Sequence, residues 1–390
     1  MRPAGAGHLS DMIRVAQIDH AAPDALDRLV ADLGPGPFSL VCLFVTPQAQ
    51  FAEIVARTET RFGAAEVLAC TTAGEIGRGG YEEGQIVALG FPKAQFRAVT
   101  RALDDLAVAD ERTIGDLLLQ ERMALTNAAE GMAHEFAFLM VDGLSMREEH
   151  LTHALAAGLG SMPLFGGSSG DGDRFRETYL ARNGAVLNDA AVLALVRTRC
   201  PVRVFSLDNM VPTETRMVVT GADPARRVVT EINAEPAAQE YARLLGKDPA
   251  QLDPFTFAAH PVVVRLGDSH HTRAIQRVNE AGELVFFSAI NEGMVLTLAD
   301  HDDISTHLDQ ALSRFAPAGQ APELILGCDC ILRRIEAGQS QKTRDVSSIL
   351  QKHKVFGFST YGEQIGALHV NQTLTGVAFY PPDTDGAECP

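Results

Sequence analysis

Glu66-Val67-Leu68-Ala69-Cys70-Thr71-Thr72-Ala73-Gly74-Glu75 runs from an apolar stretch into two hydroxyl residues, a glycine and a carboxylate, and this order returns twice. The second copy is Met162-Pro163-Leu164-Phe165-Gly166 leading to Ser168-Ser169-Gly170-Asp171. The third is Lys354-Val355-Phe356-Gly357-Phe358 leading to Ser359-Thr360-Tyr361-Gly362-Glu363. Short apolar runs bounded by glycine and polar clusters suit strands buried in a sheet. Their recurrence in one chain is the mark of a duplicated unit.

Working outward, each copy has a further apolar run upstream: Leu40 to Val45, Phe136 to Val141 and Leu324 to Cys328. Each has another downstream: Gln85 to Phe91, Ala190 to Val196 and Leu374 to Phe379. A helix-like segment separates the first two runs of every copy. Gln48 to Arg61 has Phe51, Ile54 and Val55 on one side, Met146 to Leu159 follows in the second copy, and Asp345 to His353 ends the third. The repeating unit is thus strand, helix, strand, small-residue loop, strand. The fold class expected is α/β, with mixed β-sheets flanked by helices and an antiparallel β-rich insert in the C-terminal half. That insert spans roughly Val202 to Ala316, with strands at Arg216 to Thr220, Val262 to Leu266 and Leu284 to Ala289, and a helix from Pro236 to Leu245 ended by Gly246. Asp302 and Asp303 read as first-turn acids of a helix from Ile304 to Phe315. Pro317 to Pro322 reads as a loop, the start before Asp11 as frayed and Asp383 to Pro390 as a polar tail.

Thirty-three Lys and Arg against 50 Asp and Glu give a net charge of −17, with 46% hydrophobic and 21% charged residues among 390. Such a chain can bury a substantial core, which argues against disorder. The acidic balance opposes nucleic acid and anionic membrane surfaces, because no Lys/Arg-rich run is present to release counterions. No stretch approaches the ~20 apolar residues of a spanning helix, and Met1 to His20 lacks signal-peptide order, so a cytoplasmic protein is expected. Cys42, Cys70, Cys200, Cys328, Cys330 and Cys389 form no C-x-x-C pair and read as reduced and largely buried.

The repeated loops are the first candidates for chemistry. A loop at the carboxyl end of a strand can offer N–H groups, hydroxyls and a carboxylate to a small polar ligand. It can equally serve as a tight bend between packed strands. Gly166-Gly167-Ser168-Ser169-Gly170 satisfies the G-x-S-x-G nucleophile elbow, yet no acid and histidine are singled out as partners for Ser168, and no catalytic role is expected. The spacings at His150/His153, His270/His271 and His301 to His307 suit solvated or capping positions more than a closed zinc shell. His260, in the apolar stretch Phe255 to Val264, could ligate haem iron or be a satisfied core histidine. Cys200-Pro201 is a second haem-compatible pair, and the absence of C-x-x-C-H excludes covalent haem attachment.

Over Leu40 to Phe379 the chain resembles the FIST family of bacterial sensory modules. The resemblance rests on Ala69 to Ile76, Leu164 to Gly172, Val229-Thr230-Glu231-Ile232-Asn233 and Val278 to Phe287. It implies an N-terminal domain over residues 1–232 and a C-terminal domain over 233–390. Through His260 to Arg265, Arg273 to Glu280, Ala289 to Gly293, Gly357 to Gln364 and His369 to Thr373, the chain is similar to the haem-binding, nitric-oxide-sensing NosP-type branch. That likeness implies haem b, with iron held by His260 and with His369, His270 and His271 behind it as ligands. Arg265 and Arg273 would meet the propionates. The gas would be NO or CO, and the partner a histidine kinase or a cyclic-di-GMP enzyme, with a homodimer left open. The alternative is a FIST sensor of a small metabolite such as an amino acid, with Thr71, Glu75, Ser168, Asp171 and Glu363 forming a polar site.

Overall fold

The computed structural model describes residues 12–104, 106, 110–267, 269–316 and 320–382. The chain is α/β, and its three repeats build three sheets of six strands each in one shared order. In the first sheet, Arg14–Asp19, Gln85–Pro92, Phe38–Val45 and Glu66–Thr71 lie side by side. In the second, Phe96–Leu103, Ala191–Thr198, His134–Val141 and Leu164–Ser168 do so. Val202–Leu207, Leu374–Phe379, Leu324–Cys330 and Val355–Thr360 form the third set. The two central strands of each run parallel, and the remaining neighbours antiparallel. The outermost strands, and the hairpins described next, lie outside the expected unit. Val202–Leu207 pairs with Leu374–Phe379 and so belongs to the third sheet, not to the insert.

Each sheet is completed by a short hairpin from a different repeat. The hairpin after the first loop, Glu75–Gly77 with Gly80–Glu82, pairs with Val355–Thr360 of the third sheet. Leu180–Arg182 with Ala185–Leu187, from the second repeat, pairs with Glu66–Thr71 of the first. Glu363–Ile365 with Leu368–Val370, from the third, pairs with Leu164–Ser168 of the second. Hairpins thus pass from one to three, two to one and three to two, closing a ring of sheets with no repeat complete on its own.

The inner faces of the sheets meet in one aromatic core. Phe44 stacks on Phe358 at 4.6 Å between ring centroids, Phe138 on Phe165 at 5.0 Å, and Phe379 meets Phe91, Phe96 and Phe136 edge-on. Cys42, Cys70, Cys200, Cys328 and Cys330 are buried free thiols, whereas Cys389 lies outside the described residues. A Cβ at Gly167 would overlap Thr360 of the third sheet, so this close approach requires glycine. Outer faces are covered by helices: Ala25–Leu33 and Phe51–Ala56 on the first sheet, Glu111–Ala128 and Glu148–Leu159 on the second, Ile304–Ser313 and Thr343–Lys352 on the third. Asp303 caps its helix as expected, accepting from the Thr306 N–H at 2.8 Å. The helix expected over Gln48 to Arg61 is broken into Phe51–Ala56 and Thr58–Phe62, where the Thr58 hydroxyl turns back to donate to the Val55 carbonyl at 2.7 Å.

The insert is an antiparallel sheet of its own, built from strands between Met210–Asp223 and Val295–His301 around a core that includes Tyr241, Phe257 and Phe286. It docks on the second repeat through Arg227, whose guanidinium bonds Glu148 at 2.5 Å and Glu149 at 2.7 Å with both Arg227 and Glu148 buried. Because the aromatic core is shared, Phe44→Ala should cost about 3–5 kcal/mol while the three sheets still melt in one calorimetric transition. Separate transitions for the repeats would contradict the shared core.

Candidate functional site

The three loops lie where the repeats are joined. Ala73 N–H donates to the Ser359 carbonyl at 2.9 Å and Ser359 N–H to that of Gly74 at 2.7 Å. Gly170 N–H donates to Thr71 O, Gly172 N–H to Thr72 O, and Ser168 N–H to Gly362 O. The side chains brace the loops, within the first and third repeats and across to the second through Tyr361. Thr72 donates to Glu75, whose second oxygen accepts from the Gln85 N–H at 3.0 Å. Thr360 donates to Glu363, which also accepts from the Thr373 hydroxyl at 2.8 Å. In the second repeat Asp171 accepts from the Tyr361 hydroxyl and from the N–H groups of Arg176 and Glu177, each at 3.1 Å.

Of the five residues expected to form a polar site, Thr71 and Asp171 border a cavity. Glu75, Ser168 and Glu363 have no exposed surface; Ser168 is spent on the clasp between repeats, and the carboxyls of Glu75 and Glu363 on bracing the loops of their own repeats. Ser168 Oγ accepts from the Gln364 amide at 3.0 Å, which leaves no access for the substrate a nucleophile elbow would need. The bend reading therefore describes these three.

Three cavities surround the joints. The first, of 460 Å³, opens between the first repeat and the hairpin of the second. Phe51 and Tyr179 stack at 6.0 Å on one wall, with Arg174, Arg176 and Glu177 as charged lining. The second, of 550 Å³, is lined by all three repeats and the insert. The third, of 370 Å³, includes His270, His271, Asp208 and Leu368.

The residues expected to serve haem are dispersed. His260 caps the helix Pro254–Ala259, is half-buried and lines none of these three cavities; burial holds its pKa below the usual histidine value, with help from Lys247. Arg265 is exposed and turns its Nε–H to the Gly267 carbonyl at 2.9 Å. Arg273 is buried and donates to the His369 carbonyl at 3.2 Å. In the regular hairpin Val262–Leu266 with Ser269–Arg273, Arg265 sits opposite His270 and Arg273 opposite Val262. Paired residues share a face and faces alternate along a strand, so the two arginines lie on opposite faces and cannot grip the propionates of one porphyrin. His260, Arg265 and Arg273 thus do not fit haem as a single set. His270 and His271 share a cavity, and His369 is buried with its pKa lowered by that burial. Among the described residues no group of three or more His, Cys, Asp or Glu side chains could hold a metal ion.

Sequence reasoning missed Arg174, Arg176, Phe51 and Tyr179 in the first cavity and Arg334 and Phe255 in the second. The pair Arg333-Arg334 was a visible signal, but its two members serve different ends. Arg333 is wholly buried on Asp329 at 2.8 Å and on Asn209 at 2.9 Å, whereas Arg334 reaches a cavity.

The repeated α/β units thus leave ligand-sized cavities beside their joints. The FIST N domain model matches residues 39–235 and the FIST C domain model residues 237–366, so the chain belongs to the FIST family of sensory domains. No curated protein matches the chain. Among the described residues no helix is long and apolar enough to cross a membrane.

Burial pushes Glu75 up to about 7 and Glu363 up to about 8, so both are held protonated in their loops at acid pH. A carboxyl whose folded pKa is raised contributes stability below its unfolded pKa and loses that contribution as pH rises through the folded value. Denaturant unfolding should therefore show stability falling between about pH 5 and pH 8. Glu75→Gln and Glu363→Gln, which keep an acceptor oxygen toward the Thr72 or Thr360 hydroxyl, should flatten that slope; an unchanged slope in the double variant would refute the assignment.

Proposed function

We propose that this FIST protein senses a small zwitterionic metabolite of the amino-acid class in the 460 Å³ cavity between the first and second repeats, and passes its occupancy to a partner histidine kinase or cyclic-di-GMP enzyme. The observation that carries the reading is the lining. Arg174 and Arg176 can meet a carboxylate, Glu177 an ammonium group, and the stacked Phe51 and Tyr179 an apolar side chain. Thr71 and Asp171 connect that lining to the clasp, because Thr71 O accepts from Gly170 and Asp171 holds Tyr361 of the third repeat. A ligand that binds one spacing of the repeats better than another shifts the population of the ring, which is the signal a partner reads.

Thermal melting with a panel of amino acids tests this. A ligand selective for the folded state raises Tm with concentration, and Arg176→Ala should weaken that ligand ten- to a hundredfold while the unliganded Tm stays put, Arg176 being exposed. No shift with any amino acid would sink the reading.

Haem b and nitric-oxide or carbon-monoxide sensing form the second reading, favoured by His270 and His271 in the lining of the 370 Å³ cavity with Ile365, Leu368 and Val370. Protein reconstituted with haemin, reduced and exposed to NO should then give a sharp Soret band that shifts. Loss of the band in His271→Ala would assign the ligand here and loss in His260→Ala would restore the ligand expected from the sequence, while a broad band removed by washing would end the haem reading.

A further inference from the structure

The 550 Å³ cavity adjoins the proposed metabolite site at Pro47 and has a different chemistry. Its walls include Pro47, Ala73, Phe175, Ile331 and Ile335, and the insert closes one side with Pro254 and Phe255. Phe255 is 59% exposed at this lining, while Phe257 on the same short helix is buried in the core of the insert. A phenylalanine left in water forgoes the free energy of burying its ring, which an apolar occupant pressed against it would recover.

Among the described residues one cation, Arg334, lines the cavity. The Arg334 side chain is 16% exposed, lies over the Tyr81 ring and donates to the Glu82 carbonyl at 3.1 Å. Its carboxylate neighbour is Glu83 at 3.1 Å, a residue 78% exposed. An ion pair so open to water is weak and readily exchanged. The first loop makes room for this guanidinium: Gly74 has φ +131°, and a Cβ there would overlap Arg334. Glu83 and Asp173 in the lining oppose a second negative charge on the occupant.

We infer that this cavity is a second ligand site, for an apolar monocarboxylate whose head group pairs with Arg334 and whose chain lies between Ile331, Ile335, Phe175 and Phe255. Bound there, the molecule joins the insert to the ring, since Phe255 belongs to the first and Arg334, Ala73 and Phe175 to the second.

Calorimetric titration of the full chain with sodium octanoate tests the inference, with octylamine and octan-1-ol as controls. Saturable 1:1 binding of octanoate is expected, with octylamine excluded and octanol at least tenfold weaker. Arg334→Gln should weaken octanoate tenfold or more. Phe255→Ser, at an exposed position that leaves the fold intact, should weaken it three- to tenfold. Octanoate binding that is unsaturable, or unchanged in either variant, overturns the site. Arg176→Ala separates the two cavities: octanoate affinity should be unaltered, and a loss would place octanoate in the 460 Å³ cavity and overturn the inference.

Discussion

The exchange of hairpins between repeats is the constraint on which the rest of this structure depends. A strand edge exposes N–H and C=O groups that must be paired. Here the second central strand of each sheet is covered by a hairpin from another repeat, so no repeat can satisfy its own backbone. Closing the ring in this way brings three inner faces together and creates the common core of Phe44, Phe138, Phe165, Phe358 and Phe379.

The same exchange sets the character of the loops. A loop that must hand its chain to a neighbouring sheet is pressed against that neighbour's own loop, with its hydroxyls and carboxylate turned inward as bracing. The burial that lifts the pKa of Glu75 and Glu363 follows directly from that position. The cavities form beside the joints, where helix starts and hairpins of different repeats meet without filling the space. A sensor gains from this placement, because an occupant at a joint touches two bodies whose spacing it can bias.

Much of the fold was legible in the residues. Apolar runs bounded by glycine marked three strands of each ring sheet, Asp303 marked its helix, and Gly246 ended the helix Ala237–Leu245. The outer strands were harder: Phe96–Leu103 is buried only at Phe96, Thr100 and Leu103 and carries two arginines, so it lacks a continuous apolar run. The site was less legible still. Thr71 and Asp171 were found through the repeat, but Arg176 and Arg334 look like ordinary surface arginines until the fold sets them in cavities. Arg265 and Arg273 look equivalent along the chain, and the odd spacing between Val262 and Arg265 in the hairpin register puts them on opposite faces.

Local chemistry is written in side chains, and so the amino-acid sequence by itself determined the threefold repetition, the α/β class, the acidic charge and the existence of an antiparallel insert. Which hairpin completes which sheet was decided by the tertiary structure alone. Backbone donors and acceptors are the same at every residue, so a strand edge carries no signature of a partner more than 100 residues away, such as Glu363 opposite Gly167. The inward turn of Glu75, Ser168 and Glu363, and the convergence of Arg174, Arg176, Phe51 and Tyr179 on one cavity, follow from that pairing and from nothing shorter in range.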